Sequence, residues 1–67
     1  MKPYTQAAWN PLEQLEGEVY AEGDTWRKLV QTEGRYVLLM QKGAWCGVRH
    51  DIFLLETPAE WENWRSL

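Results

Sequence analysis

The chain has 67 residues, a net charge of −3 and an aromatic content of 13%, with five Trp, three Tyr and one Phe. That length excludes two independent cores, and the aromatic and aliphatic load excludes a disordered tail. The longest apolar run, Ile52-Phe53-Leu54-Leu55, is far short of the ~20 residues a membrane span needs, and the first residues lack the apolar stretch of a secretory signal.

Residues 1–9 carry no strong period; Tyr4, Ala7, Ala8 and Trp9 suit a loose turn or an extended arm. Asn10-Pro11-Leu12-Glu13 has the grammar of a helix start: a capping side chain, proline at the first helical position and an acid at the third. The expected helix is short, places Leu12 and Leu15 on one face and stops at Gly17 as a left-handed C′ residue.

From residue 18 the composition turns to strands. Residues 18–21 are a brief β-like run, Glu22-Gly23-Asp24 a turn, and residues 25–32 a second run. Glu33-Gly34 then divides this run from residues 35–41, the strongest strand signal in the chain. Two strand-like runs parted by a short glycine-bearing break predict a hairpin. Lys42-Gly43 is the next turn, and residues 44–49 continue the pattern, with Gly47 suggesting a bulge. His50-Asp51 suits a bend before the run 52–55. Thr57-Pro58-Ala59-Glu60 is a capping box with proline in the first turn. Trp61, Trp64 and Leu67 recur at a spacing that puts them on one helix face, with Trp61 the stronger core candidate.

These elements predict an α+β domain over residues 1–67: a small antiparallel meander of three to five strands, compatible with an SH3-like barrel. A short helix is expected before it and a capped helix after it. The run 35–41 is apolar on both faces: Tyr36, Leu38 and Met40 on one, Val37 and Leu39 on the other. A sheet with one wet side alternates apolar and polar residues, so both sides here require a cover. The C-terminal helix suits one. The second demands barrel curvature, the N-terminal arm or another chain, and so short a chain is expected to fall short of roofing both by itself.

Charge is uneven along the chain. Residues 1–24 hold five acids and one base, residues 25–50 five bases and one acid, and residues 51–67 four acids and one base. The plain consequence is acidic ends packing beside a basic sheet; the sharper one is a basic face for an acidic partner or a polyanion.

Chemistry finds little foothold. Cys46 is the one cysteine, which excludes an internal disulfide and fits a reducing, cytoplasmic setting. Cys46 and His50 are four apart, a span of ~13 Å on a strand, and no second Cys or His completes a zinc site. Ser66 lacks a nucleophile elbow, the acids at turns are ordinary turn formers, and the glycines are too dispersed to cradle phosphate. No catalytic residue, cofactor or metal is therefore expected. Trp, Tyr and Arg dominate interface energetics. The expectation is thus a non-catalytic protein-binding module, an inhibitor or regulator of the size found among phage and mobile-element accessory proteins, self-associating or bound to another protein. The candidate contact residues are Trp26, Arg27, Arg35, Trp45, Arg49 and Trp64. The alternative is single-stranded nucleic acid held by stacking and phosphate contacts on the basic sheet, although the pI near 5.0 is low for such a domain.

Overall fold

The computed structural model describes residues 1–4, 15–43 and 51–67. Five strands form one antiparallel sheet: β1 (Lys2–Pro3), β2 (Gly17–Glu22), β3 (Thr25–Thr32), β4 (Arg35–Lys42) and β5 (Asp51–Leu55). Their spatial order is β1-β5-β4-β3-β2. Among the described residues the sheet does not close: β1 stands at one edge and β2 at the other, and the SH3-like barrel compatible with the sequence pattern is not seen there. A short helix, α1 (Pro58–Glu62), and a 3-10 turn (Trp64–Ser66) follow. No helix among the described residues is long and apolar enough to cross a membrane.

The two hairpins are closed by two-residue turns. Glu22 faces Thr25 across Gly23-Asp24, and Thr32 faces Arg35 across Glu33-Gly34. Glu33 and Gly34 both have positive φ, 53° and 73°. That pair of angles belongs to a type I′ turn, whose twist matches that of the flanking strands.

Register decides which side chains share a face. Val37 stands opposite Val30 and Leu54, and Leu39 opposite Lys28 and Ile52. Leu38 stands opposite Leu29 and Phe53, and Tyr36 opposite Leu55. The first group is built around the fully buried Val30, Val37 and Leu39, with Tyr4, Ile52 and Leu54 packed against them. The second contains buried Leu38, Leu55 and Trp64, with Tyr20, Leu29, Tyr36, Met40, Phe53 and Leu67 around them.

β4 is thus apolar on both faces, and at its centre both are buried by this one chain. Val37, Leu38 and Leu39 have no exposed surface. The expectation that the chain is too short to roof both sides is corrected at the centre of the strand: Val37, Leu38 and Leu39 are enclosed by this chain alone, while Tyr36 and Met40 are half-buried. Each such aliphatic side chain contributes about 1.5–3 kcal/mol when removed from water, which is why the chain's own segments take these positions.

The C-terminal segment roofs the Leu38 face. Thr57 caps α1: its hydroxyl accepts from the Glu60 amide at 3.3 Å, and Glu60 accepts from the Thr57 amide at 3.1 Å. The helix stops at Asn63, whose amide donates to the Ala59 carbonyl. Trp61, Trp64 and Leu67 do all lie over this side, as their spacing predicts, but with unequal burial. Trp64 is 3% exposed and Trp61 38%. The expectation that Trp61 is the deeper of the two is reversed, because its indole sits at the rim. Its Nε1 donates to the carbonyl of Leu55, the last residue of β5, at 3.0 Å, and its ring leans on Tyr36.

The expected N-terminal helix falls largely outside the described residues. Its proposed stop, Gly17, opens β2 instead. The expected strand over residues 44–49, with its bulge at Gly47 and the bend at His50, also lies outside the described residues; Asp51 opens β5.

Candidate protein-interaction surface

The six candidate contact residues do not converge. Trp45 and Arg49 lie outside the described residues. Trp26 and Arg27 are neighbours on β3 and project to opposite faces. Trp26 and Arg35 share a face but sit at opposite ends of it: Trp26 pairs with Gln41, and Arg35 with Thr32. Trp26 and Thr32 are six residue steps apart along the strand, a span of ~20 Å.

Two of the six are engaged within the fold. Trp64 is enclosed in the core, meeting Tyr20 edge-on at 6.4 Å between ring centroids. Arg27 reaches over the same face and donates from Nη2 and Nε to the Leu67 carbonyl at 2.8 and 3.2 Å, tying β3 to the end of the C-terminal segment. The forked donor geometry of arginine makes that two-pronged contact possible.

Alternation also divides the basic residues of the sheet. Lys28 and Arg35 fall on the face of Val30 and Val37, while Arg27 and Lys42 fall on the face of Leu38. The aromatic residues part likewise: Trp26 is on the first face, and Tyr36 is on the second under Trp61. A stacking platform for single-stranded nucleic acid needs aromatic and basic groups on one continuous surface. Glu56 and Glu60 pair with the Met1 amino group, and Glu56 also with Lys2, whereas Arg65 pairs with Glu18 on β2.

What the fold does leave open is the margin at β2. This strand pairs with β3 on one side and, among the described residues, ends the sheet on the other. Five of its six residues are exposed, and Tyr20 is half-buried. Val19 is 52% exposed, and Leu15, just before the strand, 38%. Leu15, Glu16, Gly17, Glu18, Val19 and Lys28 line a shallow open hollow along this margin. A second, smaller hollow lies between Val19, Trp26, Arg27 and Lys28 and holds about 90 Å³, well under the ~300 Å³ of a typical small-molecule site.

The opposite margin is blunted. β1 has two residues, covers Phe53 and Leu54 of β5, and carries Pro3, which has no amide proton to offer. Tyr4 extends that cover by donating its amide to the Ile52 carbonyl at 2.9 Å, while its ring packs on the Val30 face.

Leu15, Val19 and the β2 backbone escape a reading of the sequence that assigns Leu15 to a helix face and Gly17 to its stop. The signal present is the alternation from residue 15 to residue 22, apolar or small at odd positions and acidic or tyrosine at even ones. Among the described residues, no group of three or more His, Cys, Asp or Glu is placed to hold a metal ion. No protein-family model, curated protein or solved structure matches this chain.

Proposed function

We propose that this protein is a non-catalytic protein-binding module whose contact surface is the open β2 margin. One observation carries the reading: a six-residue edge strand lies exposed beside a corner of apolar side chains, Val19, Leu15 and half-buried Trp26. Native sheets ordinarily cover, shorten or interrupt an edge of this length. This chain does so at β1, where Pro3 sits. Such an edge offers a partner both backbone groups and apolar area. Size and acidity suit an inhibitor or regulator that acts by occupying another protein's surface.

The test is site-specific photo-crosslinking in the native host, with the reactive group placed in turn at Val19 and at Gln31, an exposed position on the far end of β3. The expected result is one protein cross-linked from Val19 and not from Gln31. That protein, made recombinantly, should bind the wild-type chain and lose about tenfold or more in affinity to Val19→Asp, while the variant's thermal midpoint stays within a few degrees. The reading is overturned if the cross-linked protein binds Val19→Asp as well as wild type. It is equally overturned if Val19 gives no specific product while oligonucleotides bind the chain with a steep salt dependence.

A further inference from the structure

We infer that the β2 margin recognises an extended segment of a basic protein, one that alternates apolar residues with lysine or arginine and adds to the sheet as a sixth strand. This rests on the protein-binding reading above and names its partner chemistry and its mode.

The argument starts from the ladder. In a hairpin closed by two residues, the flanking pair, here Glu22 and Thr25, exchanges both backbone hydrogen bonds, and such pairs recur at every second residue. Glu22, Tyr20 and Glu18 therefore direct their amide and carbonyl groups at β3. Gly17, Val19 and Ala21 direct theirs away from the sheet, along a margin with no further strand among the described residues. An extended chain laid there completes this second row of bonds, the mode by which sheets take up peptide strands.

Side-chain chemistry then selects the occupant. Gly17, Val19 and Ala21 project to the face of Val30, as their opposite numbers Val30, Lys28 and Trp26 show. Glu18, Tyr20 and Glu22 project to the other face. The margin is thus apolar along one side and acidic along the other, and in sequence the pattern continues back through Glu16 and Leu15. An added strand meets β2 side chains at ~5 Å. Its residues on the apolar side meet Val19, and those on the acidic side meet Glu18 and Glu22. The Glu18–Arg65 pair is exposed. Exposed pairs contribute little, so an incoming cation can share that carboxylate.

A second copy of the chain is the weaker fit. Two β2 strands pairing antiparallel about Tyr20 set Glu18 against the Glu22 of the other copy. Pairing about Glu18 sets Glu18 against its own copy, and pairing about Val19 brings Glu22 against the other copy's Glu16. Like charges directly opposite one another destabilise a sheet, so the acids that admit a basic strand oppose self-pairing.

The probe is a capped synthetic peptide of about nine residues alternating lysine and valine, long enough to span β2. Two control peptides are one with glutamate for lysine and one with every backbone amide N-methylated, so that neither strand edge can donate. Binding is followed by amide chemical shifts of the 15N-labelled chain. The expected result is saturable binding of the lysine peptide with the largest shifts at residues 17–21, and about tenfold or more weaker binding of both controls. Because methylation alters only the peptide, the protein's fold is untouched in that comparison. Val19→Pro removes an outward amide that the β3 ladder does not use and should also weaken binding about tenfold, with the β3–β4 shifts unchanged. Equal binding of the N-methylated peptide overturns strand addition. Equal binding of the glutamate peptide overturns the charge selection, and shifts centred elsewhere overturn the site. A dimer through β2 that excludes the peptide makes a second copy the occupant and overturns the proposal. A partner that cross-links at Val19 and is weakened by Val19→Asp, but contacts β2 without any basic strand, leaves the binding reading standing and removes this one.

Discussion

Glu33 has φ of 53°, the one described residue other than glycine in the left-handed region. A side chain with a Cβ is strained there, and asparagine tolerates the region best because its short amide bonds locally. The β3–β4 turn therefore carries a local cost that the two paired strands outweigh. Glu33→Asn should raise stability by about 0.5–1 kcal/mol, several degrees in the thermal midpoint of a domain this small. Calorimetry measures it directly, and a midpoint that falls shows that Glu33 makes a compensating contact. Tyr20 makes a second residue-scale argument. Its hydroxyl donates to the Glu22 carboxylate at 3.0 Å. That hydrogen bond, then the carboxylate's charge, then burial raise the phenol above its ordinary 10.0, against a smaller opposing effect of Arg27. The proton is held more tightly in the folded chain than in the unfolded one. The associated stability is thus complete below pH 10.0 and disappears as pH rises through the higher folded value. Glu22→Gln removes the charge and should bring the phenol back toward its ordinary range, read as the ultraviolet difference absorbance of tyrosinate between neutral pH and pH 12. An unmoved titration would show that the carboxylate's charge is not the cause and leave the shift to the hydrogen bond, which the glutamine carbonyl can still accept, and to burial.

At the scale of elements, legibility followed the strength of local rules. The Glu33-Gly34 turn, the strands on either side of it and the capping box at Thr57 were all readable, because in each the deciding interactions lie within a few residues. Gly17 was not. A glycine after Leu12 and Leu15 satisfies a helix stop and a strand start equally well. What decides is a contact with β3: a Cβ built on Gly17 meets the Leu29 carbonyl oxygen closer than real Cβ atoms come, with Val30 Cγ2 next at 3.1 Å. That neighbour is backbone and cannot swing aside. Gly17→Ala should therefore cost about 1–3 kcal/mol and loosen the start of β2, seen as faster amide exchange there with β4 unaffected. A neutral substitution would show that β2 slides along β3 without loss. The candidate site was poorly legible for a related reason. Composition lists which residues are aromatic or basic, whereas the period of two sends neighbours such as Trp26 and Arg27 to opposite faces. Trp64 against Trp61 needed still more, since the break at Asn63 sets which indole turns inward and which stays at the rim.

On the scale of the molecule, one strand serves two cores. Val37 and Leu39 belong to one buried cluster, Leu38 to the other, and the sheet lies between them. A chain of 67 residues has little stability to spare, of the order of 5 kcal/mol, so the question is whether a defect on one face is felt on the other. Packing is a short-range matter, and effects of substitutions without shared partners add to within about 0.3–0.5 kcal/mol. Trp64 touches the Leu38 cluster and not the Leu39 cluster. Shortening either leucine to valine removes one buried methylene, worth about 1 kcal/mol with its cavity. Leu39→Val combined with Trp64→Phe should then cost the sum of the two single changes. Leu38→Val combined with Trp64→Phe should depart from the sum by more than 0.5 kcal/mol, because the smaller ring and the shorter side chain share one cavity. Urea denaturation of the three single and two double variants decides it. Strong coupling across the sheet would mean that the backbone of β4 shifts as a unit when either roof is disturbed. An added strand at β2 would then be felt on both faces through β3, whereas independent roofs confine its effect to the margin where it binds.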